Sequence, residues 1–211
     1  MNKPLIVANW KMNPQSLKEA KVLFNKVRKA CPERSRRAQT VICPPFIYIS
    51  ALKANGAQDC FWEKKGSFTG EISPVMLKNL GVEYVIVGHY ERRKYLTEID
   101  EMIGKKIKAC LRVGLKPILC INNISQTKGV NKKVILAFEP ISAIGSGRSF
   151  PVKTAKKMRR SLASFKIVLY GGSVNSKNAR DYILEAGFQG LLVGGASLDA
   201  KEFISIVKSV N

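Results

Sequence analysis

Two kinds of segment alternate along the chain. Short apolar runs occur at Leu5 to Asn9 (LIVAN), Thr40 to Pro44 (TVICP), Ala57 to Phe61 (AQDCF), Tyr84 to Gly88 (YVIVG), Pro117 to Ile121 (PILCI), Val134 to Phe138 (VILAF), Lys166 to Tyr170 (KIVLY) and Gly190 to Gly194 (GLLVG). Between most of them lie amphipathic stretches, such as Ser16 to Ala30 and Leu96 to Gly114, in which apolar residues recur at helical spacing. Continuous apolar strands separated by helices predict a parallel sheet covered by helices. Eight strands predict an α/β fold closed as a (β/α)8 barrel, with an open doubly wound sheet as the alternative. Its 211 residues, unbroken by repeat, linker or low-complexity segment, predict one domain spanning 1–211.

Composition narrows the class. Hydrophobic residues make up 45% and aromatic residues 8%, as in an ordinary soluble protein. No apolar run reaches the ~18 residues of a membrane span. The start, MNKPLIVANWKMN, lacks a signal-peptide core and cleavage site, so a cytoplasmic protein without a membrane partner is expected. Cys31, Cys43, Cys60, Cys110 and Cys120 are widely spaced and form no CxxC pair. Reduced, mostly buried thiols are expected, with no disulfide framework and no metal.

Charge adds a complication, because 36 basic residues face 15 acidic ones, a net +21. Such an excess suits a nucleic-acid or membrane-surface partner, or else a solvated basic surface with some attraction for anionic substrates. The basic residues occur along the whole chain, in RSRRA (34–38), KKIKAC (105–110) and KKMRRS (156–161). No RRM, KH or zinc-knuckle pattern and no interleaved aromatic platform accompanies them. The solvated surface is therefore the expectation, and nucleic acid is not an expected partner.

In a barrel of this kind chemistry sits at the C-terminal ends of the strands. The polar residues there are Asn9 and Lys11 after the first strand, His89 and Glu91 after the fourth, Glu139 after the sixth, Ser173 after the seventh, and Gly194 with Gly195 after the eighth. A lone histidine, lysine or glycine pair is usually structural or a turn; their joint occurrence at strand ends points to a site. Glu139 sits in AFEPISAIGSG, between an apolar run and a proline. A carboxylate there suits proton abstraction, with Pro140 stiffening the backbone after it and apolar surroundings strengthening the base.

Six blocks, NWKMN (9–13), GSFTGEISPVML (66–77), VGHYERR (87–93), AFEPISAIGSG (137–147), YGGSV (170–174) and VGGASL (193–198), resemble in order the signature blocks of the triosephosphate isomerase family. The resemblance runs the length of the chain. It implies a dimeric, cofactor-free barrel of glycolysis and gluconeogenesis that interconverts dihydroxyacetone phosphate and glyceraldehyde 3-phosphate through an enediolate. Glu139 would be the base, His89 would hydrogen-bond the carbonyl oxygens, Lys11 would balance the developing charge, and Asn9 would hold the lysine in place, with Glu91 beside them. His89 precedes YERRKYL, a predicted helix N-terminus that disfavours imidazolium. Main-chain N–H groups of Ser173, Gly194, Gly195 and Gly145 would cradle the phosphate. Pro140, Ile141, Ser142, Ala143, Ile144, Gly145, Ser146 and Gly147 would form a lid that excludes water, and Ile144 and Leu192 an apolar cover over the base. Thr69, in the long loop Cys60 to Ser73, would enter a neighbouring subunit.

Departures from the family pattern accompany the match. Tyr90 stands where serine is usual, and Phe138, Ser142 and Asn122-Asn123 replace a tyrosine, a tryptophan and Gly-Glu. Only Asn122 to Lys133 separates the fifth and sixth strands, without helical periodicity. One flanking helix is therefore expected to be reduced or missing, leaving strand faces there exposed or covered by a partner. The basic surface and these changes keep a second reading open, a degenerate phosphate-binding barrel without turnover that binds nucleic acid.

Overall fold

The computed structural model describes residues 3–32, 38–143 and 149–210. Its strands are β1 (Leu5–Asn9), β2 (Gln39–Cys43), β3 (Gly56–Ala57), β4 (Tyr84–Val87), β5 (Lys116–Ile121), β6 (Ile135–Phe138), β7 (Val168–Tyr170) and β8 (Gly190–Val193). The α-helices are α1 (Leu17–Ala30), α2 (Phe46–Leu52), α3 (Pro74–Asn79), α4 (Tyr90–Tyr95), α5 (Asp100–Arg112), α6 (Val152–Ser161), α7 (Ala179–Leu184) and α8 (Ala200–Ser209). All ladders are parallel, in the order β2-β1-β8-β7-β6-β5-β4-β3. That order is cyclic. Its two ends, β2 and β3, are consecutive in sequence, as a barrel requires and an open doubly wound sheet does not.

Side chains close the ring where the β2–β3 ladder is lacking. Asn55 Oδ1 accepts the Ile42 N–H at 3.1 Å and its Nδ2 donates to the Thr40 carbonyl at 3.1 Å. Gln58 Nε2 donates to the Cys43 carbonyl at 2.9 Å. Two amide side chains thus stand in for a strand neighbour and satisfy backbone groups that would otherwise be orphaned. The predicted third strand, Ala57 to Phe61, is correspondingly shorter, because its later residues turn outward to α5. Buried Lys106 donates to Asp59 at 2.7 Å and bonds Glu98, while Arg92 Nε reaches Asp59 at 2.9 Å. One turn further along α5, the Cys110 and Cys60 thiols meet at 3.4 Å. All five cysteines are buried and unbridged.

Alternation along the strands builds two apolar layers. Leu5, Val7, Val41, Tyr84, Ile86, Ile118, Ala137, Leu169 and Leu192 fill the barrel interior. Ile6, Ala8, Ile42, Val85, Val87, Leu119, Leu136, Val168 and Leu191 point outward beneath the helices. The helices begin where capping side chains permit. Ser16 accepts from the Glu19 N–H before α1, Ser73 from Met76 before α3, and Asp199 from Lys201 and Glu202 before α8. Helix α1 then buries Ala20, Leu23 and Val27, three and four residues apart.

The crossover from β5 to β6 contains no α-helix. It holds a single 3-10 turn, Ile124–Thr127, closed by a capping box between Asn123 and Gln126. The expected exposed strand faces are not found. Leu119, Ile121, Leu136 and Phe138 are 2% exposed or less, because Leu111, Val113, Val130, Phe150 and Val152 pack over that part of the core. What the missing helix leaves is a surface groove of about 720 Å³ between α5 and the β5–β6 segment.

Candidate active site

Strand ends deliver the polar residues to one mouth of the barrel. Lys11 follows β1 with φ 55°, a left-handed conformation that strains a side-chain-bearing residue. Its neighbours fix it there. The Asn9 side chain accepts the Lys11 N–H at 3.1 Å, and Gln58 Nε2 donates to the Lys11 carbonyl at 2.7 Å. The Lys11 ammonium reaches Glu91 Oε1 at 2.5 Å, so Glu91 anchors the lysine from behind.

His89 caps α4. The Glu91 N–H donates to His89 Nδ1 at 3.3 Å, which makes Nδ1 an acceptor and leaves the ring proton on Nε2. Nε2 lies 3.1 Å from Glu139 Oε1, and both side chains are more than nine-tenths buried. Burial alone would lower the pKa of His89, but the Glu139 carboxylate outweighs it and the net shift is upward. The helix end that was expected to keep the ring neutral is therefore overridden while Glu139 stays beside it.

Glu139 emerges from β6 with its own N–H donating to the Ile121 carbonyl at 2.7 Å, which extends the ladder one residue past Phe138. Its second oxygen accepts the Tyr90 N–H at 3.4 Å, so Tyr90 contributes main chain to the base. Beneath the carboxylate lies Cys120, whose thiol pKa is raised first by burial and then by Glu139 itself. Gly171 is required beside the base, since a Cβ there would stand 2.8 Å from Glu139 Cγ.

These groups line a cavity of about 330 Å³ together with Ser173, Leu192, Gly194 and Gly195. Ser173 Oγ donates to the Ala143 carbonyl at 2.6 Å, tying the start of the predicted lid to the β7–α7 loop. The Gly194 carbonyl is held by the Ser197 N–H at 2.8 Å and hydroxyl at 2.7 Å. The cavity is the right size for a small ligand.

The structure gathers Asn9, Lys11, His89, Glu139, Ser173, Leu192, Gly194 and Gly195 around one space. Glu91 stands behind Lys11, outside the lining. Of the predicted lid, Pro140, Ile141, Ser142 and Ala143 follow β6, the last three as a 3-10 turn. Ile144, Gly145, Ser146 and Gly147 lie outside the described residues. Thr69 sits on the exposed β3–α3 loop, away from this cavity. Gly171, Gly172, Val174, Asn175 and Ala196 also line the space and were not singled out from sequence. Their signal lay in YGGSV and VGGASL, where two adjacent glycines precede a small residue. Gln58 carried no local signal at all.

A carboxylate against an imidazole, faced by an ammonium, serves proton transfer beside a polarised oxygen. This places the molecule in the class of (β/α)8-barrel enzymes that work by acid–base catalysis on small substrates. Comparison with known proteins narrows the class: the family profile described as Triosephosphate isomerase matches residues 4–210, and the chain belongs to that family. It is 37% identical over 250 positions to the triosephosphate isomerase of Thermoanaerobacter pseudethanolicus, covering 98% of this chain and 99% of the relative. Identity is 39% over 249 positions to that of Alkaliphilus oremlandii (98% and 99% covered) and 38% over 245 to that of Aquifex aeolicus (97% and 98%). These alignments are longer than the chain's 211 residues, so the relatives carry residues that it lacks.

Proposed function

We propose that Glu139 is the base with which this enzyme interconverts dihydroxyacetone phosphate and glyceraldehyde 3-phosphate. The observation that carries the reading is the 3.1 Å pairing of Glu139 Oε1 with His89 Nε2 inside a cavity that Lys11 also lines. Substrate binding inserts the carbonyl oxygen as the new partner of the His89 Nε2–H, which frees the carboxylate to face the adjacent carbon. Glu139 takes the proton from that carbon, His89 hydrogen-bonds the developing oxyanion, and Lys11 offsets its charge. The same carboxyl group returns the proton to the neighbouring carbon. Removing Glu139 from His89 also removes the influence that raised the ring's pKa, so the imidazole acts as a neutral donor. Ser173, Gly194 and Gly195 hold the phosphate through main-chain N–H groups, with Gly145 joining from the lid, and no cofactor takes part.

The working form is a cytoplasmic homodimer. Supporting this, Met12 is 84% exposed, Ile47 78% and Tyr95 68%, and all three follow adjacent strands at the active-site end. Beside them the β3–α3 loop stacks Phe61 against Trp62 at 4.0 Å and Phe68 at 4.7 Å, with Phe68 exposed. So large an apolar belt fits an interface, with Thr69 reaching the partner's site as the family resemblance implies. No observation favours a barrel without turnover.

A coupled assay of purified protein tests the assignment. The parent turns over, and Glu139→Gln loses at least ~10³ in kcat/KM because an amide of the same shape cannot accept the proton. A Glu139→Gln variant as fast as the parent would remove Glu139 from the role.

A further inference from the structure

We propose that the flank of the barrel built from α5, the β5–β6 segment and α6 binds the phosphate backbone of double-stranded nucleic acid, by charge and without reading sequence. The basic residues of this chain occur throughout, but the acidic ones do not. Residues 102–180 contain 17 of the 36 basic residues and one of the 15 acidic residues, Glu139. That single acid is buried at the active site. A stretch of more than a third of the chain therefore presents no carboxylate to solvent, whereas the rest sets 14 acids against 19 bases. A general habit of using lysine raises the basic count everywhere; it does not empty one flank of acids.

The fold collects these charges on one side. β5, β6 and β7 are neighbours in the sheet, so their outer elements are neighbours too. Lys108 and Arg112 on α5, Lys128, Lys132 and Lys133 on the crossover, and Lys153, Lys156, Lys157 and Arg160 on α6 are all exposed. The crossover is fastened to the α6–β7 turn, where Lys132 Nζ donates to Ser164 Oγ at 3.1 Å and lies 3.9 Å from the Phe165 ring centroid. Loss of a helix between β5 and β6 leaves the groove of about 720 Å³ between these basic walls, with Ser125, Gln126 and Asn131 adding polar groups to its edge.

Charge complementarity fixes the partner as a polyanion, and what the flank lacks fixes its kind. Between residues 102 and 140 and across α6, Ile124 is the one large apolar side chain with substantial exposure among the described residues. A protein partner would meet no apolar or aromatic core, and a bilayer no side chain to insert. No exposed aromatic ring offers the stacking that single strands use. Regularly spaced phosphates on a duplex need only lysine and arginine.

Fluorescence anisotropy with a labelled mixed-sequence duplex, as DNA and as RNA, tests this against salt concentration. Binding at ~0.1 M salt is expected, weakening steeply as salt rises, with a log–log slope of about −0.9 per phosphate neutralised. The quadruple variant Lys153→Gln, Lys156→Gln, Lys157→Gln and Arg160→Gln should bind at least ~10-fold more weakly and flatten the slope by about three. A control with the same charge loss elsewhere, Lys64→Gln, Lys78→Gln, Lys94→Gln and Lys201→Gln, should bind like the parent, and both variants should keep the parent's melting temperature. Equal losses in the two variants would reduce the effect to net charge and overturn the proposal. So would binding confined to salt below ~20 mM, or tighter binding to phosphatidylserine vesicles than to either duplex.

Discussion

Glu139 and His89 hold one another in the empty site, and that pairing sets a pH dependence. The folded pKa of His89 is raised above its ordinary value of 6.5 by the carboxylate, against the effect of burial. A raised pKa contributes stability that is fully present below the ordinary value and is lost as pH climbs through the folded one. Melting temperatures of the ligand-free parent and His89→Gln, taken from about pH 5.5 to 9, should therefore differ most at the acid end and converge at the alkaline end. A gap that widens with pH would mean the ring is held neutral even without substrate. Single residues of this kind were legible in the sequence because each stands at a strand end, where polar side chains have no packing reason to be. Asn55 and Gln58 were not, since their task is to satisfy carbonyls and N–H groups of a strand more than ten residues away. Gly171 was equally silent, because only the position of the Glu139 side chain shows why a Cβ is excluded.

Among the elements, seven of the eight strands lie within two residues of the predicted bounds, because apolar runs buried on both faces are hard to mistake. β3 was overread, since the pull of α5 on Asp59 and Cys60 is a tertiary effect. The crossover between β5 and β6 was read correctly as lacking an α-helix, but its packing over Leu119 and Leu136 depends on residues as distant as Phe150 and Val152. The lid shows the same interdependence. Where the family pattern has a tyrosine, a tryptophan and a glutamate, this chain has Phe138, Ser142 and Asn123. Phe138 packs edge-on to Phe150 at 6.0 Å, and Asn123 is engaged in capping its own turn. Each replacement has local work to do, and removing a whole hydrogen-bonding set together costs less than stranding one member. Ser142→Trp alone should thus leave kcat and KM no better than the parent's. Adding Phe138→Tyr and Asn123→Glu should lower KM more than it changes kcat, because closure of the lid gains latches. A large gain from Ser142→Trp alone would contradict this.

For the whole molecule, the exposed belt of Met12, Ile47, Phe68 and Tyr95 predicts association through the active-site end. Light scattering at micromolar concentration should give twice the chain mass of 23.4 kDa. Thr69→Arg should shift that mass toward the monomer and lower kcat/KM together, since the loop is needed by the neighbouring site. A fully active monomer would contradict the interlocked dimer. The most direct measurement of all follows hydrogen through the reaction itself. When dihydroxyacetone phosphate is converted in D₂O and the product trapped, abstraction by a carboxylate whose proton exchanges with solvent should leave deuterium on the carbon that receives the proton. Glu139→Gln should suppress product and label alike, at least ~10³-fold. Rapid turnover that yields unlabelled product would mean that hydrogen passes directly between the two carbons, and Glu139 would not be the base.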